Sequence, residues 1–273
     1  MDRSVVVTGC GSGIGRAIIE RLADDGYYSV GVELDKVKAA SVLNHLGERG
    51  TVVQADVRDI GELRRAASEA TDHASLTGWV NNVGVALGAP LHRAEQDDVS
   101  AVLEINLMSH FWGSRVAIET FIEQGTGGSI VNISSIHGRA AFNGWAAYDT
   151  AKGGVDALTR YIAVEYGPIG VRANAIAPGA IRTDMVRDVI AASRDPEREE
   201  RDMSALHPLD RLGEPAEVAA VAAFLLSEES SFLSGQSIAV DGAATARCYR
   251  YEPDPTLLAK FASARHRHHE HPG

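Results

Sequence analysis

The segment AAYDTAKGG, residues 146–154, places a phenol and an ammonium four residues apart among small side chains. Ala151, Val155, Leu158 and Ile162 recur at helical spacing, so the segment is expected to be a helix with one apolar face. Tyr148 and Lys152 are then neighbours at i and i+4. A tyrosine ring resting on a lysine stem is common on helix surfaces. The alternative is a phenol whose pKa is lowered by a fixed cation. A free phenol titrates near ~10 and is a poor base at neutral pH, so the cation would make it a usable proton carrier. The spacing alone leaves both readings open. Three more polar fragments bear on the choice: NNVG (81–84), ISS (133–135) and Asn106.

The elements that must carry these residues alternate in type. Strand candidates are SVVVT (4–8), YSVGVE (28–33), TVVQAD (51–56), GWVNN (78–82), GSIVNIS (128–134), VRANAIA (171–177) and QSIAVD (236–241). Helical patterns fill the gaps, among them 13–26, one long helix over 97–124, and 215–229. Alternating strands and helices imply parallel strands joined by right-handed crossovers, with helices on both sheet faces. The expected fold class is α/β: a Rossmann-like, doubly wound parallel sheet of about seven strands in a single domain over residues 1–244. Residues 245–273 form a C-terminal extension of different composition: basic, proline-containing and histidine-rich. Parallel sheets bind ligands at the carboxyl ends of their strands, so NNVG and ISS should meet in one crevice.

The turn after the first strand, TGCGSGIG, belongs to the same crevice. Gly9, Gly13 and Gly15 permit a tight turn and close approach of a pyrophosphate to a helix N-terminus, although glycines also serve ordinary strand-to-helix turns. Cys10 within it reads as a filler of a small slot, since no paired base accompanies it. Glu33 ends the second strand, where an acidic side chain reaches the ribose hydroxyls of NAD and repels the 2′-phosphate of NADP. Ser12 and Leu34 supply no cation. Lys36 and Arg16 lie near enough in sequence to leave NADP open.

Together these motifs strongly resemble the short-chain dehydrogenase/reductase family: T-G-x-x-x-G-x-G at Thr8–Gly15, N-N-x-G at Asn81–Gly84, Ser135, and Y-x-x-x-K at Tyr148 and Lys152. PGAIRT (178–183) and SGQSIAVDG (234–242) extend the match to almost everything before residue 245. The resemblance implies that Tyr148 is the general acid/base and that Ser135 hydrogen-bonds the substrate oxygen. Lys152 and the positive charge of oxidised nicotinamide would lower the Tyr148 pKa; Lys152 would also bind the nicotinamide ribose, and Asn106 would hold a water that links Lys152 to solvent. It also implies cofactor contacts from Gly9, Ser12, Gly13, Ile14, Gly15 and Glu33, from Asp56 and Val57 around the adenine, and from Asn82 and Gly84 along the ribose. Pro178, Gly179, Ile181 and Thr183 would meet the nicotinamide end. The expected activity is hydride transfer between NAD(H) and a secondary alcohol or ketone. An NADPH-dependent ketoreductase and a dinucleotide-binding sensor or scaffold without chemistry are the competing readings. The intact Asn106, Ser135, Tyr148 and Lys152 set argues against the scaffold.

Departures from the family pattern are Val83, Asp149 and Ala243. Val83 and Ala243 read as packing adjustments. Asp149 lies about 100° around the helix from Tyr148 and is expected to face solvent. Substrate is expected against loops 85–95, 136–145 and 184–213, the last a helical lid. Candidate contacts there are Trp145 and Phe142 as an apolar wall, with His137, Asn143, Arg139 and His92 as polar groups. They tilt the reading toward a polar, hydroxylated or acidic substrate rather than a bulky steroid. The segment 111–121 carries apolar surface for pairing in a homotetramer or homodimer, or else packs on the sheet. In the tail, residues 247–262 are expected to dock on an interface through Tyr249, Tyr251, Leu257 and Phe261. The final HRHHEH reads as a solvated end rather than a metal site.

Bulk properties exclude other classes. The chain has 273 residues, 45% of them hydrophobic, and a formal charge of −11. Nucleic acid and anionic membrane need clustered Lys and Arg, so neither is an expected partner. No apolar run approaches a bilayer span. The N-terminus enters a strand almost at once, leaving no room for a signal peptide. Cys10 and Cys248 sit in unlike contexts at opposite ends, which fits a reducing cytoplasm without disulfides.

Overall fold

The structure, a computed structural model, describes residues 2–248. The first three strands are β1 (Arg3–Thr8), β2 (Tyr28–Glu33) and β3 (Gly50–Gln54), and they are followed by β4 (Ser75–Asn81) and β5 (Gly128–Ile133). β6 (Val171–Pro178) and β7 (Ser237–Val240) complete one parallel seven-stranded sheet, in the order β3-β2-β1-β4-β5-β6-β7. The helices are α1 (Gly13–Asp24), α2 (Lys36–Leu46), α3 (Ile60–Thr71), α4 (Gln96–Leu103) and α5 (Ser109–Gln124). α6 (Ala146–Tyr166), α7 (Asp184–Ala192), α8 (Pro196–Leu206) and α9 (Pro215–Leu226) follow. The doubly wound α/β sheet expected from the alternating pattern is present, with strand bounds within a few residues. Among the described residues no helix is long and apolar enough to cross a membrane. The tail residues Tyr249, Tyr251, Leu257, Phe261 and the HRHHEH segment lie outside the described residues.

Strand periodicity divides the core in two. Alternate residues point to opposite sheet faces, so Val5 and Val7 pack with Ile18, Leu22, Val218 and Ala222 on the α1/α9 side. Val6 packs on the other side with Trp79, Leu63, Val116, Phe121 and Ile162, beneath α3, α5 and α6. Each buried Val, Leu or Ile contributes roughly 1.5–3 kcal/mol relative to exposure. Trp79 is fully buried and its Nε1 donates to Asn81 Oδ1 at 2.8 Å, which satisfies the indole at the sheet centre. The chain leaves β1 toward β2 on one side and reaches β4 on the other. The crevice opens at that reversal, above the carboxyl ends of β1 and β4.

One expectation needs correction. The helix read as continuous over 97–124 is interrupted by a wide π turn, Glu104–Met108, between α4 and α5. Asn106 sits in that turn with its side chain bonded to another loop, and such widened turns commonly mark functional positions. The segment 111–121 gives most of its apolar surface to its own chain. Val116, Ala117, Ile118 and Phe121 are buried, and Phe111 is the large apolar residue of that segment that stays exposed.

Candidate active site

The nucleotide side of the crevice is made by main chain. Gly9 and Gly13 hold left-handed φ of 66° and 53°, a conformation that side chains with a Cβ resist. Gly15 does not line the crevice. A Cβ there would stand 2.1 Å from Gly9 O, so Gly15 permits α1 to pack against the turn. Ser12 caps α1 without any side-chain bond to its first amides. Those amides and the positive end of α1 are therefore available to an anion. Asn82 Nδ2 donates to the carbonyls of Thr8 and Gly9, both at 3.1 Å, and so braces the turn. Ile14, Gly84 and Val57 complete this wall of a cleft of about 380 Å³.

Glu33 closes the outer end. Its Oε2 accepts from Gly11 N at 2.8 Å and its Oε1 from Asp35 N at 2.9 Å. A carboxylate has about four acceptor positions, so lone pairs remain for ribose hydroxyls. The residues present thus fit a dinucleotide: a glycine turn, an uncapped helix start and an acidic strand end. Asp56 lines the crevice, but its carboxylate is already engaged by Arg58, at 3.0 Å to Nε and 2.5 Å to the terminal nitrogen. Cys10 is fully buried beneath the turn, where burial pushes its thiol up to about 12, so it is an inert filler.

The inner end gathers the polar fragments from β4, β5, the π turn and α6. Ser135, Tyr148 and Lys152 all line the cleft, with Pro178, Gly179, Ile181 and Thr183 opposite. Ser135 also accepts from His137 N at 3.3 Å, which orients its hydroxyl. Lys152 is buried and donates through Nζ to Ile133 O at 2.8 Å. Asn106 is fully buried and does not reach the cleft surface. Its Oδ1 accepts from Val85 N at 2.7 Å, and its Nδ2 donates to Val85 O at 2.9 Å. The two groups pin the loop that follows β4.

The protein's own groups set the electrostatics of the inner end. The expected lowering of the Tyr148 pKa rests on Lys152 together with oxidised nicotinamide; among the protein's own groups, burial pushes the phenol up to about 12. Hydrogen bonding to Ser135 opposes this, and the Asp149 carboxylate adds to it. Lys152 Nζ lies 5.7 Å from the phenol ring centroid and gives a hydrogen bond to a carbonyl, so it does not offset the burial. Burial brings Lys152 itself down to about 8. Asp149 does not face solvent: it is paired with His137 at 2.6 Å and accepts from Phe142 N at 2.9 Å. The reason is that the segment 136–145 folds back over the start of α6, covering a helix face that periodicity alone leaves open.

The substrate-side candidates separate. Trp145 packs edge-on to Tyr148, with ring centroids 5.8 Å apart, and His137 does the same at 5.0 Å. Asn143 and His92 are exposed. Arg139 bonds Ser237 O at the sheet edge. Asp184 and Met185, at the start of α7, line the cleft beside Thr183.

Some residues no motif singled out also shape the site. His207 is buried and its Nδ1 lies 2.6 Å from Asp241 O. Its Nε2 accepts from Ala180 N at 3.2 Å, so it ties the Pro178–Thr183 loop to the ends of α8 and β7. His110, one turn after Asn106, is held well below the usual histidine range by burial and by the charge of Lys152. Only a hydrogen-bond map reveals such roles, because a lone histidine in an apolar stretch carries no spacing signal.

Comparison with known proteins matches this picture. The family described as Enoyl-(Acyl carrier protein) reductase matches residues 9–245. The chain is 34% identical over 249 residues to 3beta-hydroxysteroid dehydrogenase 1 of Eggerthella lenta, covering 89% of this chain and 94% of that protein. The aldohexose dehydrogenase of Thermoplasma acidophilum superposes with a TM-score of 0.82 at 30% identity, covering 90% or more of both (93% and 98%). Actinorhodin polyketide ketoreductase, in a structure with NADPH, superposes at 0.85 with 26% identity, covering 90% of this chain and 98% of that one. With a matched family over most of its length and oxidoreductase relatives on either side, the chain belongs to the short-chain dehydrogenase/reductase family.

Proposed function

We propose that the protein transfers hydride between NAD(H) and a secondary alcohol or its ketone, with Tyr148 moving the proton. The observation that carries this reading is the convergence of Ser135, Tyr148 and Lys152 at the inner end of a cleft whose outer end is closed by Glu33. When bound, the nicotinamide supplies or accepts the hydride. Ser135 hydrogen-bonds the substrate oxygen and stabilises charge that develops on it. In reduction, Tyr148 gives its phenolic proton to that oxygen as the carbon gains hydride; in oxidation it takes the proton back. A phenol held near 12 favours the loaded acid, so the protein's own groups bias Tyr148 toward donation. Both side-chain groups of Asn106 are engaged with Val85. Each keeps one further hydrogen-bonding position for a water that links Lys152 to solvent.

Preference for NAD rests on Glu33, whose carboxylate repels a 2′-phosphate. Of the nearby cations, Arg58 is paired with Asp56, and Arg16 with Glu20 at 2.8 Å. Lys38 lines the cleft beside Glu33 and is the group that most favours the NADPH alternative. The test is cofactor absorbance across alcohols and ketones, with dissociation constants for NADH and NADPH. NADH should bind at least about tenfold more tightly, and Glu33→Ala should narrow that gap. Equal constants in the unmutated protein overturn the NAD assignment. Absence of hydride transfer with both cofactors overturns the chemistry in favour of a sensor or scaffold.

A further inference from the structure

The proton-transfer set leaves one charged pair beside it unused. His137 Nδ1 lies 2.6 Å from Asp149 Oδ1, and Asp149 Oδ2 accepts the Phe142 amide at 2.9 Å. An ionised carboxylate can only accept, so Nδ1 carries the proton, and a neutral ring then presents Nε2 as a bare acceptor. The imidazole is held in place: it stacks on Phe142 with centroids 4.0 Å apart and meets the Trp145 and Tyr148 rings edge-on. Nε2 makes no hydrogen bond among the described residues and is not one of their buried unpaired atoms, so it keeps some exposed surface. Burial holds this imidazole below the ordinary histidine range despite Asp149, which keeps the neutral form at neutral pH. The result is an oriented lone pair on a ring that packs edge-on against the Tyr148 phenol, at the margin of the cleft that Tyr148 lines. A hydroxyl can donate to it. A carboxylate cannot, and it would also face the Asp149 charge behind the ring.

We propose that His137 Nε2 accepts a hydrogen bond from a second hydroxyl, on the carbon next to the reacting one, so that the protein prefers vicinal diols and α-hydroxyketones to simple alcohols and ketones. Asp149 is the positioning residue that fixes the ring and its tautomer. The inference rests on the hydride-transfer reading above and adds a substrate class to it. It also narrows the hydroxylated-or-acidic expectation to neutral hydroxylated compounds.

The experiment compares matched pairs by cofactor absorbance, beginning with trans-cyclohexane-1,2-diol against cyclohexanol and acetoin against 2-butanone. The hydroxylated member of each pair should show kcat/KM at least about tenfold higher, because a site built around a hydroxyl penalises the analogue lacking it. His137→Phe keeps an aromatic ring but no acceptor, and should collapse that ratio toward unity. His137→Gln, which restores an acceptor oxygen, should recover part of it. NADH titration checks that each variant is folded; if His137→Phe is not, the native ratio and His137→Gln still decide. Equal kcat/KM within the pairs, or a His137→Phe loss shared equally by both members, overturns the role of His137 while leaving the hydride-transfer reading intact. No turnover of any pair with either cofactor overturns both.

Discussion

On the nucleotide side of the cleft the wall is backbone: Gly9 and Gly13 in left-handed turns, the first amides of α1, and carbonyls braced by Asn82. On the other side the surroundings of Tyr148 are side chain: His137 and Trp145 meet its ring edge-on, Phe142 stacks on His137, and Asp149 is locked between His137 and the Phe142 amide. The first is a geometry that few residue types can adopt. The second is one of many aromatic packings a short loop allows. Backbone walls suit a ligand whose shape never changes, such as a dinucleotide. Side-chain walls can be altered one residue at a time without disturbing the fold, and this is where members of one family can diverge in substrate.

The largest expected effect separates the two walls. Tyr148→Phe should lower turnover by at least ~10²-fold while NADH affinity stays nearly intact. Near-normal turnover would refute the assignment, and a parallel loss of NADH affinity would show that the walls are not independent. Next comes the residue that ties the Pro178–Thr183 loop to the end of β7. His207→Ala leaves Ala180 N and Asp241 O without their partner. It should cost about 2 kcal/mol of stability, read as a lowered Tm, and raise the KM of the cofactor. A variant with native Tm and KM would mean that the Pro178–Thr183 loop holds itself.

Titration gives a smaller effect with opposite signs in the two directions. Lys152, at about 8, loses its positive charge as pH rises through that value. Reduction, which draws on a protonated Tyr148 resupplied through Lys152, should therefore fall above about pH 8, approaching tenfold per pH unit. Oxidation needs the phenolate of a group held near 12, so its kcat/KM should keep rising with pH through this range without levelling off near pH 8. Parallel profiles in the two directions would place the titrating group elsewhere. The smallest effect lies at the end of β7. Ala243 replaces a family glycine and adopts φ of 69°, so it is a strained position and not the packing adjustment it resembles in sequence. Ala243→Gly should raise stability by about 0.5–1 kcal/mol without touching kinetics. A lowered Tm would show that the methyl group's packing outweighs the strain.

How far the sequence reached follows from how local each constraint is. Period-two apolar runs and glycine turns depend on the covalent chain, and the sheet and the nucleotide wall were legible for that reason. Tyr148 and Lys152 share a helix face through fixed geometry, and Glu33 ends a strand at a fixed distance from the turn. These positions were determined by the order of residues. The sign of the Tyr148 shift was not: it depends on how much of the phenol is buried and on Lys152 turning to Ile133 O, and both belong to packing. Asp149 was misplaced because helical periodicity gives the direction of a side chain without saying what will fold over it. The π turn at Asn106, the tie from His207 to Ala180 and the pairing of His137 with Asp149 were likewise decided by tertiary structure. Each joins groups distant in sequence or on separate elements, and a hydrogen bond across such a gap exists only once the elements have packed.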